Sequence, residues 1–274
     1  MKEHAKRIIR FCIPTTLSLT VLTAILRTLF LFTAYDAETG YLDRGLPTGL
    51  MAALYCIGLI ACLLFSFLLP KNLLEIQDKI CPSMRMITGL VCTVAFFVCG
   101  VSFLGRGAIL SNKQVLICGF LSIVSTLFFL FSALSFHPAF KGRFAGWIPW
   151  LGFAVIGALL LMLSTAYFDM TVAINGPFTS VYLFSLLSCA MFILFEIRRM
   201  IGRPLPRAHL ASALIAFFLS ASSSVGNLLF CFLGDTGAGK TTADPVRPLV
   251  LLALSMYILG RLITLRIPTI AEEN

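Results

Sequence analysis

Eight apolar stretches fill almost the whole of this 274-residue chain, and only short polar segments separate them. Each stretch is about 18–23 residues long, and about 20 helical residues cross a hydrocarbon core roughly 30 Å thick. We therefore predict an all-α integral membrane bundle of eight transmembrane helices, with residues 1–274 as a single membrane domain. The predicted spans are residues 11–32, 48–69, 86–104, 114–134, 148–168, 178–196, 209–231 and 248–265.

The composition agrees with a chain that lies in lipid. Hydrophobic residues make up 59% of it and charged residues 12%, whereas soluble domains carry about 25% charged residues. A net charge of +9 would suit a nucleic-acid-binding protein, but no soluble domain is left over to present a basic surface. We expect the lipid bilayer as partner and no nucleic acid.

The distribution of basic residues predicts the orientation. Fifteen of the 21 Lys and Arg residues fall at one set of helix ends and loops, five fall at the other, and Arg27 lies within a span. An excess of basic residues marks cytoplasmic loops. We predict a multi-pass protein of the cell membrane (inner or plasma membrane) whose N- and C-termini are both cytoplasmic, which agrees with an even number of spans.

One loop matches a nucleotide-binding motif letter for letter. From Gly234 to Thr241 the chain reads Gly-Asp-Thr-Gly-Ala-Gly-Lys-Thr, the pattern of a phosphate-binding loop. Such a loop needs a preceding buried strand and a following helix whose N-terminus holds the phosphates. Here a membrane span precedes the loop, Pro245 and Pro248 follow it, and the orientation places it outside the cytoplasm. We reject nucleotide binding and predict a flexible turn.

The sequence gives little support to a metal, a cofactor or a reaction. The nine cysteines form no Cys-x-x-Cys pair, and neither His-Glu-x-x-His nor Gly-x-Ser-x-Gly occurs. His137 and His209 lie at predicted cytoplasmic helix ends, where a solvated histidine is the plainer interpretation and a haem or quinone contact is the alternative. We predict no metal site and no cofactor, and favour a protein that is not an enzyme.

Polar residues follow one face of the first and seventh spans. A helix turns about 100° per residue, so the spacing of Thr16, Thr20, Thr23 and Arg27 places them together, as it does for Ser220, Ser224 and Asn227. The third span carries a similar stripe from Thr88 to Arg106. These faces should point into the bundle. Close helix packing explains them, and so does a polar pathway between helices one, three and seven.

Arg27 favours the pathway, because an arginine inside a span costs about 2.5–3.5 kcal/mol on insertion scales. It lies about five residues from the outer edge, at a depth similar to that of Asn227. Three explanations stay open: snorkelling to the surface, an internal pair with Asp169 or Asp36, or contact with an anionic ligand. The candidate pathway residues are Arg27, Thr16, Thr20, Thr23, Ser220, Ser224, Asn227 and Asp169.

A second candidate lies where the sixth span ends. Glu196 is followed by several arginines in a short connection. An interfacial charge cluster accounts for them, and gating or docking of a partner is the alternative. The candidate docking residues are Glu196, Arg198, Arg199, Arg203 and Arg207.

The ends of spans one and five share a short pattern. Residues 33–36 read Thr-Ala-Tyr-Asp and residues 165–169 read Thr-Ala-Tyr-Phe-Asp, 132 residues later. Both spans run the same way, so the pattern suggests a parallel 4+4 repeat of the kind some transporters use. A chance match of this length is equally compatible with the sequence.

The residues around spans five and six resemble an uncharacterised family of bacterial multi-span proteins. The resemblance rests on Tyr-Phe-Asp at 167–169, Asn-Gly-Pro at 175–177, Phe-Glu-Ile-Arg-Arg at 195–199 and Gly-Arg-Pro-Leu-Pro-Arg at 202–207. It implies a bacterial inner-membrane protein and no particular activity. The eight-span size also resembles quinol-oxidising anchors of bacterial molybdoenzymes, which have their termini on the opposite side.

Two functions remain after these exclusions. The first is a permease-like transporter of a small, anionic solute that pairs with Arg27. The alternative is a non-catalytic anchor or sensor subunit, including a quinone-interacting anchor, which docks a membrane-complex partner through residues 198–207. A homo-oligomer is compatible with both functions, and a membrane enzyme acting on lipid or quinone is the least supported.

Overall fold

A computed structural model describes residues 2–36, 41–42, 46–68, 75–76, 82–135, 137, 140, 146–168, 179–233, 245–263 and 265–266. Within these ranges the chain forms eight helices, and all eight are long and apolar enough to cross a membrane. The predicted all-α class with eight spans is confirmed. The helices are α1 (Lys2–Thr33), α2 (Leu46–Leu68), α3 (Pro82–Ile109), α4 (Lys113–Leu134), α5 (Ile148–Tyr167), α6 (Thr179–Met200), α7 (Pro206–Leu233) and α8 (Val246–Ile263).

Two short strand pairs accompany the helices. Strand β1 (Tyr35–Asp36) pairs with β2 (Tyr41–Leu42) in antiparallel fashion between α1 and α2. Strand β3 (Glu75–Ile76) pairs with β4 (Leu265–Arg266), which joins the α2–α3 connection to the segment after α8. The second pair shows that α2 and α8 end on the same side of the bundle.

The connection from α3 to α4 is short, and its residues explain it. Ser111 adopts a left-handed φ of 51°, which reverses the chain. The side chain of Asn112 then accepts hydrogen bonds from the backbone N–H groups of Gln114 and Val115, as an N-cap residue does. With so short a connection the two helices pack side by side over their length.

Contacts at helix ends show that the eight helices alternate in direction. Ser66 near the end of α2 bonds to the backbone of Arg207 near the start of α7. Thr88 near the start of α3 lies against Gly260 near the end of α8. We call this side of the bundle, where α1 begins and α8 ends, the terminal end, and the opposite side the far end.

Six helices form a closed ring. Each of α3 to α8 packs against the next along the chain, and α8 packs back against α3. Helices α1 and α2 lie outside this ring, where both pack against α7. Helix α7 is therefore the shared wall between the ring and the outer pair, and it is the most buried of the eight.

The predicted 4+4 repeat does not appear in the packing of the described helices. Under such a repeat the neighbours of α2 would mirror those of α6. Helix α6 packs mainly against α5 and α7 inside the ring, whereas α2 packs against α1 and α7 from outside it.

Aromatic side chains close the middle of the ring. Phe96 of α3 stacks on Phe129 of α4 at 5.0 Å between ring centroids. Phe129 meets the ring of Tyr257 on α8 edge-on at 5.3 Å, and Tyr257 in turn contacts Phe192 of α6. Because these aromatic side chains are buried and come from four helices, they fill the interior of the six-helix ring at this level.

Candidate functional site

A buried carboxylate joins three helices at the terminal end of the ring. Glu196 of α6 is 0% exposed. Its Oε1 atom accepts hydrogen bonds from Arg199 Nη2 at 2.9 Å and from Arg261 Nη2 of α8 at 2.8 Å. Its Oε2 atom lies 2.9 Å from Nε2 of His209 on α7. Both carboxylate oxygens are thus held by basic side chains.

Helix ends explain why these residues meet. Glu196 lies in the last turns of α6, His209 near the start of α7, and Arg261 in the last turn of α8. Because α6 and α8 both end at the terminal end where α7 begins, the three positions lie at one depth. Arg199 joins them from α6 itself, one turn after Glu196.

The hydrogen-bonded contacts continue across the ring. The Nη2 atom of Arg261 also donates to the Tyr257 hydroxyl at 3.0 Å, and that hydroxyl lies 3.5 Å from Ser132 Oγ on α4. The ring of Phe192 covers His209 on one side. We call this set the cross-ring network: Ser132, Glu196, Arg199, His209, Tyr257 and Arg261.

Stability alone is a poor explanation for such a network. Removing charges from water costs several kcal/mol per ion, and apolar packing of the same volume often serves a fold as well or better. Ionisable side chains inside membrane bundles are rare, and they mark functional positions. The cross-ring network can also change in steps, because Glu196 is bonded to three side chains and each bond can break separately.

A second buried arginine connects the ring to the outer pair. Arg27 of α1 is 3% exposed. Its Nε and Nη2 atoms donate to Asn227 Oδ1 of α7 at 3.3 and 3.0 Å, and its Nη1 atom donates to the Tyr55 hydroxyl of α2 at 3.4 Å. We call Arg27, Tyr55 and Asn227 the outer clamp, because they join α1, α2 and α7.

A glycine makes room for the outer clamp. A Cβ atom on Gly226 would lie 3.3 Å from Cγ and Cδ of Arg27, closer than most such contacts. The arginine stem therefore crosses α7 where that helix has no side chain. Of the explanations open for Arg27, snorkelling is wrong, because the side chain is buried between helices. Asp169 and the side chain of Asp36 lie outside the described residues.

The other candidate pathway residues are buried, as the prediction of inward-facing stripes requires. Thr16, Thr20, Thr23, Ser220, Ser224 and Asn227 are all 7% exposed or less. Hydroxyls of this set donate to carbonyls of their own helix, such as Thr20 to Thr16 at 2.7 Å and Thr23 to Leu19 at 2.8 Å. Hydroxyls bonded in this way suit a packing face between α1 and α7. A polar pathway along it stays a prediction.

The third span does not join this face. Helix α3 packs mainly against α4 and α8, whereas α1 packs against α2 and α7. The expectation of one polar interior shared by helices one, three and seven is therefore wrong. Periodicity correctly gives the polar face of each helix. It does not say which neighbouring helix that face contacts.

The predicted docking residues divide into two groups. Glu196 is buried, so it cannot itself lie on a docking surface, and this part of the prediction is wrong. Arg198 and Arg203 are exposed, whereas Arg199 and Arg207 are partly buried. Gly202, at a φ of 78°, turns the chain, and the Arg203 N–H donates to the Arg198 carbonyl at 2.9 Å.

The two histidines at helix ends differ in exposure. The expectation of a solvated side chain is wrong for His209, which is 4% exposed, whereas His137 is exposed as expected. The signal for the cross-ring network is nevertheless present in the sequence. Glu196, His209 and Arg261 all lie at predicted cytoplasmic helix ends.

The match to a phosphate-binding loop, from Gly234 to Thr241, lies outside the described residues. What the structure describes is the helix on each side: α7 ends at Leu233 and α8 begins at Val246. A helix thus precedes the loop where a nucleotide-binding site would need a buried strand. This supports the rejection of nucleotide binding at Gly234 to Thr241, which stays a prediction.

Comparison with known proteins adds no relative. No protein-family model, no curated protein and no solved structure matches this chain. The resemblance of residues 167–207 to a bacterial family thus rests on the quoted residues alone, and function must be argued from the site.

Proposed function

We propose that this protein transports a small solute across the cell membrane, with both termini in the cytoplasm. Eight membrane-spanning helices support residence in a membrane, and the excess of basic residues at the terminal end supports the orientation. In this proposal the six-helix ring is the transport unit, and the cross-ring network closes its cytoplasmic end.

One observation carries the proposal: Glu196, fully buried, binds basic side chains from three helices. A purely structural bundle gains little from a buried carboxylate. A transporter, by contrast, needs helices that separate and rejoin at one end of the ring. Bonds from Glu196 to Arg261 and to His209 hold α6 against α8 and α7 in the closed state, and their loss lets those helices part.

The buried aromatic side chains in the middle of the six-helix ring form a second barrier, behind the ionic contacts of Glu196. Tyr257 donates or accepts within the network through its hydroxyl, while its ring packs on Phe129 and Phe192. A movement of Arg261 away from Glu196 therefore acts directly on Tyr257. Opening of the ionic contacts and displacement of the rings become one event, which suits a gate.

The test is release of solutes from vesicles. Purified protein is placed in vesicles loaded with a mixture of organic acids, amino acids, sugars and inorganic anions, and the external medium is analysed by mass spectrometry over time. We expect at least one solute to leave faster than from protein-free vesicles. We expect Glu196→Gln to change that rate about tenfold or more, because an amide cannot hold the two arginines as a carboxylate does.

The matched control is Arg106→Gln, which changes an exposed residue of α3 at the far end and should leave the rate unchanged. Equal rates from protein-containing and protein-free vesicles for every solute would contradict transport. If native mass spectrometry of the same sample then shows a stoichiometric protein companion, a membrane anchor or sensor subunit becomes the better assignment.

A further inference from the structure

An apolar groove runs along the outside of α7 between α2 and α6. Both helices pack against α7, and the space between them has a volume of about 640 Å³. On α6 it extends from Ser180 near the far end to Phe195 near the terminal end, which is about 22 Å at 1.5 Å per residue. The groove is therefore long and narrow.

The polar residues along the groove turn their polar atoms away from it. Ser188 donates to the Ser185 carbonyl at 2.9 Å, and Ser212 donates to the His209 carbonyl at 2.9 Å. The Tyr55 hydroxyl accepts from Arg27 of the outer clamp. What remains at the surface is aliphatic and aromatic, from residues such as Leu59, Phe184, Met191 and Ile215. Such a surface suits a hydrocarbon chain and offers nothing to a small polar ligand.

Basic residues follow the terminal end of the groove along the chain. Arg198 follows Phe195, the last α6 residue along the groove, by one helical turn, and Ala208 of α7 lines the same end. The Arg203 N–H donates a hydrogen bond to the Arg198 carbonyl, which brings the backbones of these two exposed residues together in the α6–α7 connection. Two exposed arginines therefore follow the terminal end of the apolar surface along the chain, Arg198 in the last turn of α6 and Arg203 in the connection to α7.

We propose that this groove binds an anionic phospholipid, with one acyl chain along α7 and its phosphate at Arg198 and Arg203. The occupant follows from the charge complementarity: an apolar trough followed along the chain by two exposed arginines matches an amphiphile with a hydrocarbon tail and a negative head. Basic pockets between membrane helices on the cytoplasmic side bind anionic lipid head groups in this way. The site is independent of solute transport, and the lipid comes from the cytoplasmic leaflet if the orientation proposed above holds.

The test is native mass spectrometry of the delipidated full-length protein with phosphatidylglycerol or phosphatidylethanolamine of identical acyl chains. We expect the protein to bind phosphatidylglycerol at least tenfold more tightly. The double variant Arg198→Gln/Arg203→Gln should lose most of that preference and leave phosphatidylethanolamine binding unchanged, because both side chains are exposed and only the head group differs.

A second variant tests the tail. Ala211→Phe places a ring in the groove and should weaken phosphatidylglycerol binding at least fivefold. Its control is Val225→Phe, which fills a separate apolar groove between α1 and α7 and should leave binding unchanged. Both variants are checked for a monodisperse elution profile before lipid is added.

Three outcomes would overturn the proposal. Equal affinity for the two lipids would show that Arg198 and Arg203 do not select an anionic head group. Binding lost with the arginines but unaffected by Ala211→Phe would mean that an anion binds the loop without using the groove. A dimer or a protein companion that disappears in Ala211→Phe would mean that a membrane helix, not a lipid, occupies the groove.

Discussion

Arg27 and Arg261 are equally buried, each 3% exposed, yet they hold different parts of the bundle by different bonds. Arg261 meets a carboxylate, Glu196, at 2.8 Å within the ring. Arg27 donates to an amide and a phenol at 3.0–3.4 Å between the ring and the outer pair. Both arginines are charged donors, but only the bond of Arg261 joins two opposite charges, whose attraction adds to the hydrogen bond.

The two arginines hold two differently bonded parts of the bundle. The cross-ring network places several charged side chains at one end of the ring. Because they share the carboxylate of Glu196, the loss of one bond changes the strength of the others. The outer clamp joins Arg27 to an amide oxygen and a phenol hydroxyl at the junction of α1, α2 and α7. We infer that the ionic contacts of Glu196 hold α6, α7 and α8 together more firmly than the described hydrogen bonds of Arg27 hold the outer pair.

The largest expected effect comes from removing the carboxylate. Glu196→Ala takes away the acceptor of Arg199, Arg261 and His209, and loss of one partner from a buried ion pair costs about 3–5 kcal/mol. Thermal unfolding in detergent should show a marked fall in the melting temperature. Its control, Arg198→Ala, changes an exposed neighbour and should unfold like the wild type. A melting temperature unchanged by Glu196→Ala would show that the contacts of Glu196 do not stabilise the ring.

A matched pair of variants measures the two arginines against each other. Arg261→Met and Arg27→Met each replace a buried guanidinium by an unbranched apolar side chain. We expect Arg261→Met to lower the free energy of unfolding more, because it leaves Glu196 buried without its closest partner. Unfolding in a graded denaturing detergent gives both values on one scale. A larger loss for Arg27→Met would reverse the assignment of firm and loose regions.

The smallest loss in the free energy of unfolding should come from Tyr55, which makes the longest hydrogen bond of the outer clamp. Tyr55→Phe deletes only the hydroxyl that accepts from Arg27 and keeps the ring on Phe218. Interhelical hydrogen bonds in membrane bundles average about 0.6 kcal/mol, so we expect a loss of that order in the same detergent titration. A loss as large as that of Arg261→Met would show that the outer clamp is as firm as the ring.

The helices of this fold were predictable, and their arrangement was not. Each span is recognisable as about 20 apolar residues, because lipid tolerates little else. The order of helices around the ring carries no such signal, since the faces toward lipid and toward neighbours are both apolar. That is why the expectation that α3 would lie beside α1 and α7 failed.

The sequence likewise predicted some features of the candidate sites and not others. The inward direction of Arg27 followed from periodicity along α1, and its shared depth with Asn227 followed from the positions of both residues within their spans. Tyr55 gave no sign, because a tyrosine in an apolar span suits packing or an interface equally well. In the sequence Glu196 stands out only beside the arginines that follow it, while its bonds to His209 and Arg261 depend on how α6, α7 and α8 meet.

Hydroxyl-radical footprinting can show whether the cross-ring network closes one end of the ring. Tyr257 lies on the inner side of the ionic contacts of Glu196 and is 3% exposed, whereas Tyr167 is 49% exposed and serves as the internal reference. We expect slow oxidation of Tyr257 in the wild type and at least fivefold faster oxidation in Glu196→Gln, with the oxidation of Tyr167 unchanged. Equal oxidation of Tyr257 in both proteins would contradict a gate at Glu196.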